Sequence, residues 1–304
     1  MRSIAYLTSA DLVAGHPDLR ADAFELDHQL HALVPACASR GMRLDLQVWR
    51  SDALLKQVEN GHYDAVVVGT TWDYHDHWAT FCDRLDRFAL SVPVLNPPAV
   101  VRWNADKTYL RELAQAGVPS VPTFWADRVD ADTVRAAHDA LDADHLICKP
   151  VVGAGAVRQV QVRRGHPLPP ASECPPGGAL VQPFLPSIRS EGELSFVFCG
   201  GRFSHALLKA PARGDYRVQS VYGGVERTYT PSAEELATAR SVLDAVPQIT
   251  ADGLLLARVD MVRDRLGHLV LMELELIEPY LYPLQGPDLG DVFAESLSRL
   301  LGRP

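Results

Sequence analysis

Two apolar segments near the end of the chain carry charged residues at alternate positions. Residues 271–279 read LMELELIEP, and residues 258–262 read RVDMV. Side chains alternate between the two faces of a β-strand, so Glu273 and Glu275 share one face while the leucine after each of them faces the core. The pattern therefore predicts a strand that is apolar on one face and acidic on the other.

The residues between these segments predict a tight turn centred near Leu266 and Gly267. Such a turn places Asp260 opposite Glu273 in an antiparallel hairpin. Three carboxylates that converge in a cleft repel one another unless a divalent cation is held there. Mg²⁺ bound by a few carboxylates keeps its other positions for phosphate and water, which indicates a nucleoside triphosphate site. The alternative is an amphipathic hairpin whose acidic face is simply solvated.

The composition excludes several classes of protein. The 304 residues allow two or three packed units, and 47% hydrophobic with 22% charged residues is typical of a globular protein. A formal net charge of −9 without any basic run argues against nucleic acid as a partner. The five cysteines lack CxxC spacing, so no zinc site or disulfide framework is predicted. With no signal peptide and no apolar stretch of roughly 20 residues, we expect a cytoplasmic protein without membrane contact.

The first hundred residues alternate between apolar strands and amphipathic helices. This order predicts a small parallel sheet with helices on both faces. We expect strands at residues 3–8, 43–49, 64–69 and 92–96, and helices at residues 24–40 and near residue 54.

Ligands bind such a sheet beyond the carboxyl ends of its strands. The third strand is followed there by TTWDYHDH at residues 70–77, which is rich in aromatic and ionisable groups. We therefore expect substrate contacts from Trp72 and Tyr74. The alternative is a packed tryptophan followed by Asp73 as a helix cap.

The rest of the chain is expected to form a central unit, 100–180, and a C-terminal unit, 181–304. In the central unit Lys149 ends an apolar strand and faces a loop that contains Gly153 and Gly155. Small residues let loop N–H groups approach a phosphate, and a lysine beside them would meet the same charge. The alternative is a surface lysine, because the loop is neither a P-loop nor a dinucleotide fingerprint.

The C-terminal unit opens with a segment whose backbone could bind the edge of an adenine, although a plain core strand would look the same. This segment consists of Gln182, Pro183, Phe184 and Leu185. Glu193 follows in a polar context as a candidate for a ribose hydroxyl. Lys209 and Arg217 would clamp phosphoryl oxygens if they reach the acidic cleft.

In the order and spacing of these residues the chain resembles the ATP-grasp superfamily, specifically prokaryotic glutathione synthetase and the RimK-type amino-acid ligases. The resemblance covers about residues 100–300. It implies an α/β (α+β) ATP-grasp fold, in which an N-terminal parallel α/β substrate domain, 1–99, precedes two α+β subdomains that clasp ATP. The first subdomain would be the lid, and the second would hold the metal site.

The resemblance also implies a role for each candidate residue. The implied ligands are Lys107, Lys149, Gly153 and Gly155 for the ATP phosphates, Gln182, Pro183, Phe184 and Leu185 for adenine, Glu193 for the ribose, Lys209 and Arg217 for the γ-phosphate and acyl phosphate, and Asp260, Glu273 and Glu275 for two Mg²⁺ ions, which Mn²⁺ could replace. The candidates for the substrate pocket are Trp72, Tyr74, Arg213 and Tyr222.

The chain departs from the family pattern at three places. Glu275 stands where Asn is usual, which adds negative charge, and Ser195 stands where Arg commonly follows the ribose acid. The N-terminal substrate loop does not match the glutathione branch. The WDY loop and the ELELIEP ending are more similar to small ligases of the D-cycloserine synthetase type.

The activity implied by the resemblance is that of an ADP-forming carboxylate–amine ligase. ATP would phosphorylate a small amino-acid-like carboxylate, and an amine of the same or another molecule would attack the acyl phosphate. Two alternatives stay open, a phosphotransferase without a second substrate and a non-catalytic ATP-binding module. The expected partners are small carboxylates and amines, and a homodimer is the default assembly.

Overall fold

The computed structural model describes residues 1–153, 155–247 and 254–302. Over these ranges the strands form three sheets. All five cysteines lie within them and are free thiols, four of them buried. No helix in the described ranges combines the length and the apolar character that a membrane span requires.

The N-terminal sheet is parallel, as the alternation of strands and helices predicts. Its elements are β1 (Arg2–Thr8), α1 (Phe24–Ala38), β2 (Met42–Val48), α2 (Asp52–Glu59), β3 (Ala65–Thr70), α3 (Trp78–Ala89) and β4 (Val94–Leu95). The strand order is β2-β1-β3-β4. Alternate residues of β1 face opposite layers, so Tyr6 packs on the α1 side and Leu7 packs on the α2 and α3 side.

The central sheet is antiparallel. Its unit contains α4 (Pro98–Asn104), α5 (Tyr109–Gln115), β5 (Phe124–Ala126), α6 (Ala131–Ala140), β6 (His145–Pro150), β7 (Val160–Arg163) and β8 (Ala179–Pro183), and the strand order is β5-β8-β6-β7. The expected boundary at residue 181 falls inside β8, which pairs with β6. We therefore move the boundary beyond β8. A short apolar strand does not show from sequence which sheet it joins.

The C-terminal sheet has five antiparallel strands. Its unit contains α7 (Ser187–Ser190), β9 (Glu193–Cys199), β10 (Arg202–Ala210), β11 (Val225–Tyr229), α8 (Ala233–Asp244), β12 (Leu256–Arg263), β13 (Leu269–Glu275) and α9 (Leu289–Leu300). The strand order is β11-β10-β9-β12-β13.

The hairpin β12–β13 forms with the predicted register, in which Asp260 pairs with Glu273. Its turn is stabilised by Asp264, whose Oδ1 accepts hydrogen bonds from the N–H groups of Leu266 and His268, each at 2.8 Å. Gly267 has φ +85°, a conformation that glycine adopts at little cost. The leucines after the two hairpin glutamates are at most 1% exposed, as the alternation predicts.

The two faces of the C-terminal sheet have different coverings. One face packs on α8 through residues such as Phe196 and Leu274. Part of the opposite face packs on α9, which also contacts α1. That contact is close, since a Cβ at Gly290 would lie 2.3 Å from the Ala32 carbonyl oxygen. The remainder of this opposite face carries charged side chains and borders a cavity.

Candidate active site

A cavity of about 510 Å³ is lined by residues of all three units. Every predicted site residue except Arg213 lines it. Arg213 is exposed on a turn closed by the hydrogen bond from the Asp215 N–H to the Ala212 carbonyl, 3.0 Å long. The predicted substrate contact of Arg213 is therefore not supported, because its turn lies outside the cavity wall.

The deepest carboxylates of the cavity, Glu193 and Asp260, are called the inner pair below. Their side chains are only 5% and 3% exposed. Lys209 forms an ion pair with Glu193 and lies 3.3 Å from Asp260 Oδ1. Asp260 also accepts hydrogen bonds from Ser195 and from Arg258, the latter at 3.0 Å. All members of this network thus have charged or polar partners within the protein.

The inner pair titrates unlike free carboxyl groups. Burial raises the pKa of Glu193, and Lys209 opposes this shift. Burial would also raise the pKa of Asp260, but Arg258 and Lys209 outweigh it and hold that pKa well below its usual range. Asp260 therefore lies between two cations that favour its charged form.

Three residues with predicted ligand roles are paired with one another in this structure, and those roles stay predictions. Glu193 forms an ion pair with Lys209, so a ribose hydroxyl would have to compete with that pair. The Lys209 ammonium is 4% exposed and neutralised by two carboxylates, which does not support a direct contact with phosphate. Asp260 is surrounded by cations and a hydroxyl donor, and a metal could bind it only by displacing them. Sequence order could not show these pairings, because they join β9, β10 and β12 across the sheet.

Glu273 and Glu275, called the outer pair below, face the open cavity and are 32% and 31% exposed. Lys107 Nζ lies 3.1 Å from Glu273 Oε1, and Arg258 forms an ion pair with Glu275. Burial raises the pKa of Glu275 to about 7; Arg258 opposes this shift, and the neighbouring carboxylates Asp260 and Glu273 add to it. For Glu273, Lys107 and Lys149 outweigh the effect of burial and lower the pKa.

No group of three or more acidic, histidine or cysteine side chains in the described parts of the chain is arranged to hold a metal. The predicted site of three carboxylates stays a prediction, since Asp260 lies opposite Glu273 on the hairpin but is paired with Arg258 and Lys209 in this structure. The outer pair alone presents hard oxygen ligands to the cavity. That donor set fits Mg²⁺, which is often bound by one or two carboxylates and completes its coordination with phosphate and water.

The backbone of β13 is fixed by side chains that precede the central sheet. β13 is an edge strand, and such strands leave N–H and C=O groups unpaired. Asn104 binds the Leu274 carbonyl and the Leu276 N–H, each at 2.8 Å. The Tyr109 hydroxyl binds the Leu274 N–H and carbonyl at 2.9 and 3.0 Å. These bonds hold the strand that carries the outer pair.

Lys107 and Lys149 are brought together beside the glycine loop. Lys107 Nζ donates to the Gly153 carbonyl at 2.5 Å. Burial lowers the pKa of Lys149, while Glu273 and Glu193 oppose this shift. Gly153 and Gly155 have φ values of +145° and +62°, which L-side chains rarely adopt. Two cations and a loop of small residues therefore share one wall of the cavity.

The predicted adenine segment forms an apolar part of the same wall. Phe184 stacks on His145 with ring centroids 4.3 Å apart, and its N–H donates to the His145 carbonyl at 2.8 Å. Gln182 Nε2 donates to Thr123 Oγ1 at 2.9 Å. Val121 and Met272 also line this region, which suits a flat apolar ring.

Hydrogen bonds join the 211–224 loop to both other units. Tyr222 donates to the Gly155 carbonyl at 3.0 Å, and Ser220 donates to Glu25 Oε1 at 2.9 Å. Arg217 pairs with Asp215 at 2.7 Å and lies 3.7 Å from the centroid of the Tyr222 ring. The loop therefore reaches across the cavity, and Arg217 lies on its cavity side.

Trp72 and Tyr74 line the end of the cavity nearest the N-terminal sheet. The Trp72 indole donates to the Glu278 carbonyl at 3.0 Å. Tyr74 packs on Trp78 and Phe81, and burial raises its pKa. Asp73 makes no capping hydrogen bond; its Oδ1 accepts from Trp49 at 2.6 Å.

Arg258 and Glu278 also line the cavity, although neither was predicted as a site residue. Arg258 lies between Asp260 and Glu275 and links the inner to the outer pair. Its position two residues before Asp260 on one strand face was a usable signal. Glu278 follows β13 and was visible only as a further acid in the ELELIEP segment.

Comparisons with known proteins identify relatives of this chain. The family model for the N-terminal domain of D-cycloserine synthetase DcsG matches residues 4–96. The cycloserine biosynthesis protein DcsG of Streptomyces lavendulae is 28% identical over 294 residues, which cover 92% of this chain and 96% of that protein. Glutathione synthetase of Ralstonia nicotianae is 22% identical over 219 residues, or 69% and 63% of the two chains.

Solved structures extend the similarity to the whole fold. The crystal structure of D-cycloserine synthetase DcsG has a TM-score of 0.81 and 25% identity, with 99% of this chain and 100% of that chain covered. The ATP-grasp ligase PsnB complexed with minimal precursor, Mg and ADP has a TM-score of 0.65 and 15% identity, with 98% and 97% covered. At that identity the PsnB match shows the fold alone.

The fold, the full-length similarity and the cavity agree with one another. The resemblance to ATP-grasp enzymes predicted from residues 100–300 is confirmed, and it extends into the N-terminal unit through the DcsG family model. The chain has the ATP-grasp fold, and the relatives that it resembles include D-cycloserine synthetase and glutathione synthetase.

Proposed function

We propose that this enzyme activates a small amino-acid-like carboxylate as an acyl phosphate and converts it to an amide at the expense of ATP. The observation that carries the proposal is the outer pair, two adjacent carboxylates that face a cavity also lined by Lys107, Lys149 and Arg258. This alternation of anions and cations suits a triphosphate, a metal and a second anion held together.

The phosphates of ATP would lie against the wall formed by Lys107, Lys149 and the glycine loop. The adenine would lie on the apolar segment at Phe184. In this pose the γ-phosphate points toward the outer pair. The substrate carboxylate oxygen attacks the γ-phosphorus, the bond to the bridging oxygen breaks and ADP leaves. Positioning and charge neutralisation supply most of the barrier reduction in such transfers.

Glu273 and Glu275 would hold Mg²⁺, and the donor set supports this through its hard oxygen atoms. When bound, the ion would neutralise phosphate charge and orient the γ-phosphate. Lys107 and Arg258, which pair with the two carboxylates in this structure, then become available to phosphoryl and carboxylate oxygens. The number of ions and the replacement of Mg²⁺ by Mn²⁺ stay predictions for metal titration.

The second step joins an amine nitrogen to the acyl carbon. The C–O bond to phosphate breaks, phosphate leaves and the nitrogen loses a proton. The 211–224 loop would exclude water from the acyl phosphate, since it already contacts Glu25 and Gly155 across the cavity. The similarity to D-cycloserine synthetase supports an amine within the same molecule, which would close a ring.

The test measures ADP release from Mg-ATP over a panel of small amino acids and their ureido derivatives, with and without hydroxylamine. We expect ADP release that depends on the acid, together with a hydroxamate that identifies the activated carboxylate. Glu275→Gln should abolish both. Glu191→Gln is the matched control, because Glu191 is exposed and pairs with Arg263 outside the cavity.

Other outcomes would contradict the proposal. A stable phosphorylated product that forms without hydroxamate would indicate a phosphotransferase. Tight Mg-ATP binding with no ADP release for any acid would indicate a binding module.

A further inference from the structure

Glu278 differs from the other acids of the cavity because one of its carboxylate oxygens has no hydrogen-bond partner among the described residues. Glu273, Glu275, Asp260, Glu193 and Glu25 each have a cation or hydroxyl partner in the protein. The Oε2 atom of Glu278 is buried, and it has no hydrogen-bond partner among the described residues. An unpaired buried carboxylate oxygen is costly, so a structural role would normally supply a donor.

The surroundings of Glu278 favour a ligand that carries N–H donors. Gln219, which lines the same cavity, has a second buried acceptor without a partner among the described residues, its Oε1. Trp72 is fixed by its bond to the Glu278 backbone, and it adds an aromatic face to this end of the cavity. The nearest charged groups are the two acids of the outer pair and the cations Lys107 and Arg258, and burial raises the pKa of Glu278 well above its ordinary value. A ligand with N–H donors would supply the partner that this buried acceptor lacks.

The position of Glu278 relates this acceptor to the reaction. It lies three residues after Glu275, where β13 has ended and the chain turns toward Trp72. A substrate whose carboxylate is activated at the outer pair would present its neighbouring groups here. In an amino acid, the amine is attached to the carbon next to the carboxyl group.

We propose that Glu278 is a substrate-binding residue that accepts hydrogen bonds from the amine of an amino-acid substrate, with Gln219 as a second acceptor. This inference rests on the proposed function, because it assumes that a carboxylate is activated at the outer pair.

The experiment compares amino acids with acids that lack only the amine. The probes are D- and L-alanine against propionate, and D- and L-serine against 3-hydroxypropionate, each assayed for ADP and hydroxamate. We expect the native enzyme to prefer an amino acid by about 100-fold in kcat/KM, as hydrogen bonds to a charged group imply. Glu278→Gln should lower this preference to below about tenfold, mainly through KM. Glu191→Gln should leave it unchanged.

Two further readouts separate substrate binding from other roles. Mg²⁺ dependence and ATP affinity should be the same in Glu278→Gln and the native enzyme, whereas a metal ligand would shift both. Unfolding in urea should show equal or greater stability, because the variant replaces a carboxyl group whose ionisation is disfavoured by burial with an amide that cannot ionise.

The outcomes distinguish this inference from the function on which it depends. Hydroxamate formation with an unchanged preference in Glu278→Gln, or equal use of both acids of a pair by the native enzyme, would overturn the role of Glu278 alone. No hydroxamate with any probe or with the wider amino-acid panel would overturn both proposals. A shifted Mg²⁺ dependence would make Glu278 a metal ligand instead.

Discussion

The inner and outer pairs are both pairs of carboxylates on one face of the same sheet, yet they differ in exposure and in partners. The inner pair is at most 5% exposed and shares Lys209, Arg258 and Ser195. The outer pair is about one-third exposed, and each member has a single cation partner. The difference teaches that acidic residues in one cleft can have separate roles.

The inner pair is best understood as a positioning network. Its charges are neutralised within the protein, so it can orient Arg258 without binding a ligand itself. The outer pair is exposed to the cavity, and its ion pairs can be exchanged for a metal and phosphates. We therefore expect mutations in the inner pair to reduce mainly the free energy of unfolding, and mutations in the outer pair to reduce mainly turnover.

The largest expected effect is that of Asp260→Ala on folding. The change leaves Arg258 and Lys209 buried with fewer negative partners, and breaking a buried ion pair typically costs about 3–5 kcal/mol. Urea denaturation should show a loss of this size in the free energy of unfolding. A stable variant that loses only Mg²⁺ affinity would contradict the division between the two pairs.

Glu275→Gln should have the opposite profile. Because Arg258 keeps Asp260 as a partner, we expect the free energy of unfolding to change by about 1 kcal/mol or less. Turnover should fall by about 100-fold or more through loss of a metal ligand. ADP release and urea denaturation on the same preparation measure both. Retained turnover would remove Glu275 from the metal site.

Arg217→Ala tests whether the 211–224 loop contributes to the reaction. Arg217 is partly exposed, and its contacts with Asp215 and the Tyr222 ring lie within the same loop, so the fold should persist. We expect kcat to fall roughly 10- to 100-fold, as for removal of one transition-state donor, with little change in ATP affinity. Asp215→Asn, which frees the guanidinium, serves as the matched control. An unchanged kcat in Arg217→Ala would refute its catalytic role.

The smallest effect concerns Glu25, whose pKa is raised to about 7 by burial. A raised carboxyl pKa means that the folded state binds the proton more tightly than the unfolded state does. The resulting contribution to the free energy of unfolding is complete below about pH 4.3 and is lost as the pH rises through 7. The Glu25→Gln variant cannot ionise at this position. The difference between its free energy of unfolding and that of the native protein should therefore be about 1–2 kcal/mol more favourable at pH 8 than at pH 5. Urea denaturation at both pH values measures the gain, and a constant difference would show that Glu25 does not titrate in this range.

Much of the fold could be predicted because it depends on local patterns. The alternation in 271–279 placed both outer glutamates on one face, and the turn at Gly267 fixed the register with Asp260. The parallel N-terminal sheet likewise followed from apolar strands separated by amphipathic helices. The predicted boundary at residue 181 was wrong, because the apolar pattern of β8 indicates that the strand is buried but does not indicate which strand it pairs with.

The charge pairings of the site could not be predicted. Lys209 resembles a phosphate-binding lysine in sequence, but β9 and β12 bring two carboxylates to it. Asn104 is an unremarkable helix residue until the edge strand β13 supplies its hydrogen-bond partners. Such contacts depend on which elements become neighbours, and the Lys209–Asp260 and Asn104–Leu274 contacts join residues 51 and 170 positions apart.

The sequence by itself determined the elements, the register of the acidic hairpin and the resemblance to ATP-grasp ligases, because periodicity and motif order are written along the chain. Only the tertiary structure decided which carboxylates are neutralised internally and which face the cavity. The physical reason is that the state of a charge depends on its burial and on partners from distant segments. For that reason the same residue type forms the positioning network at Asp260, the candidate metal site at Glu275 and the unpaired acceptor at Glu278.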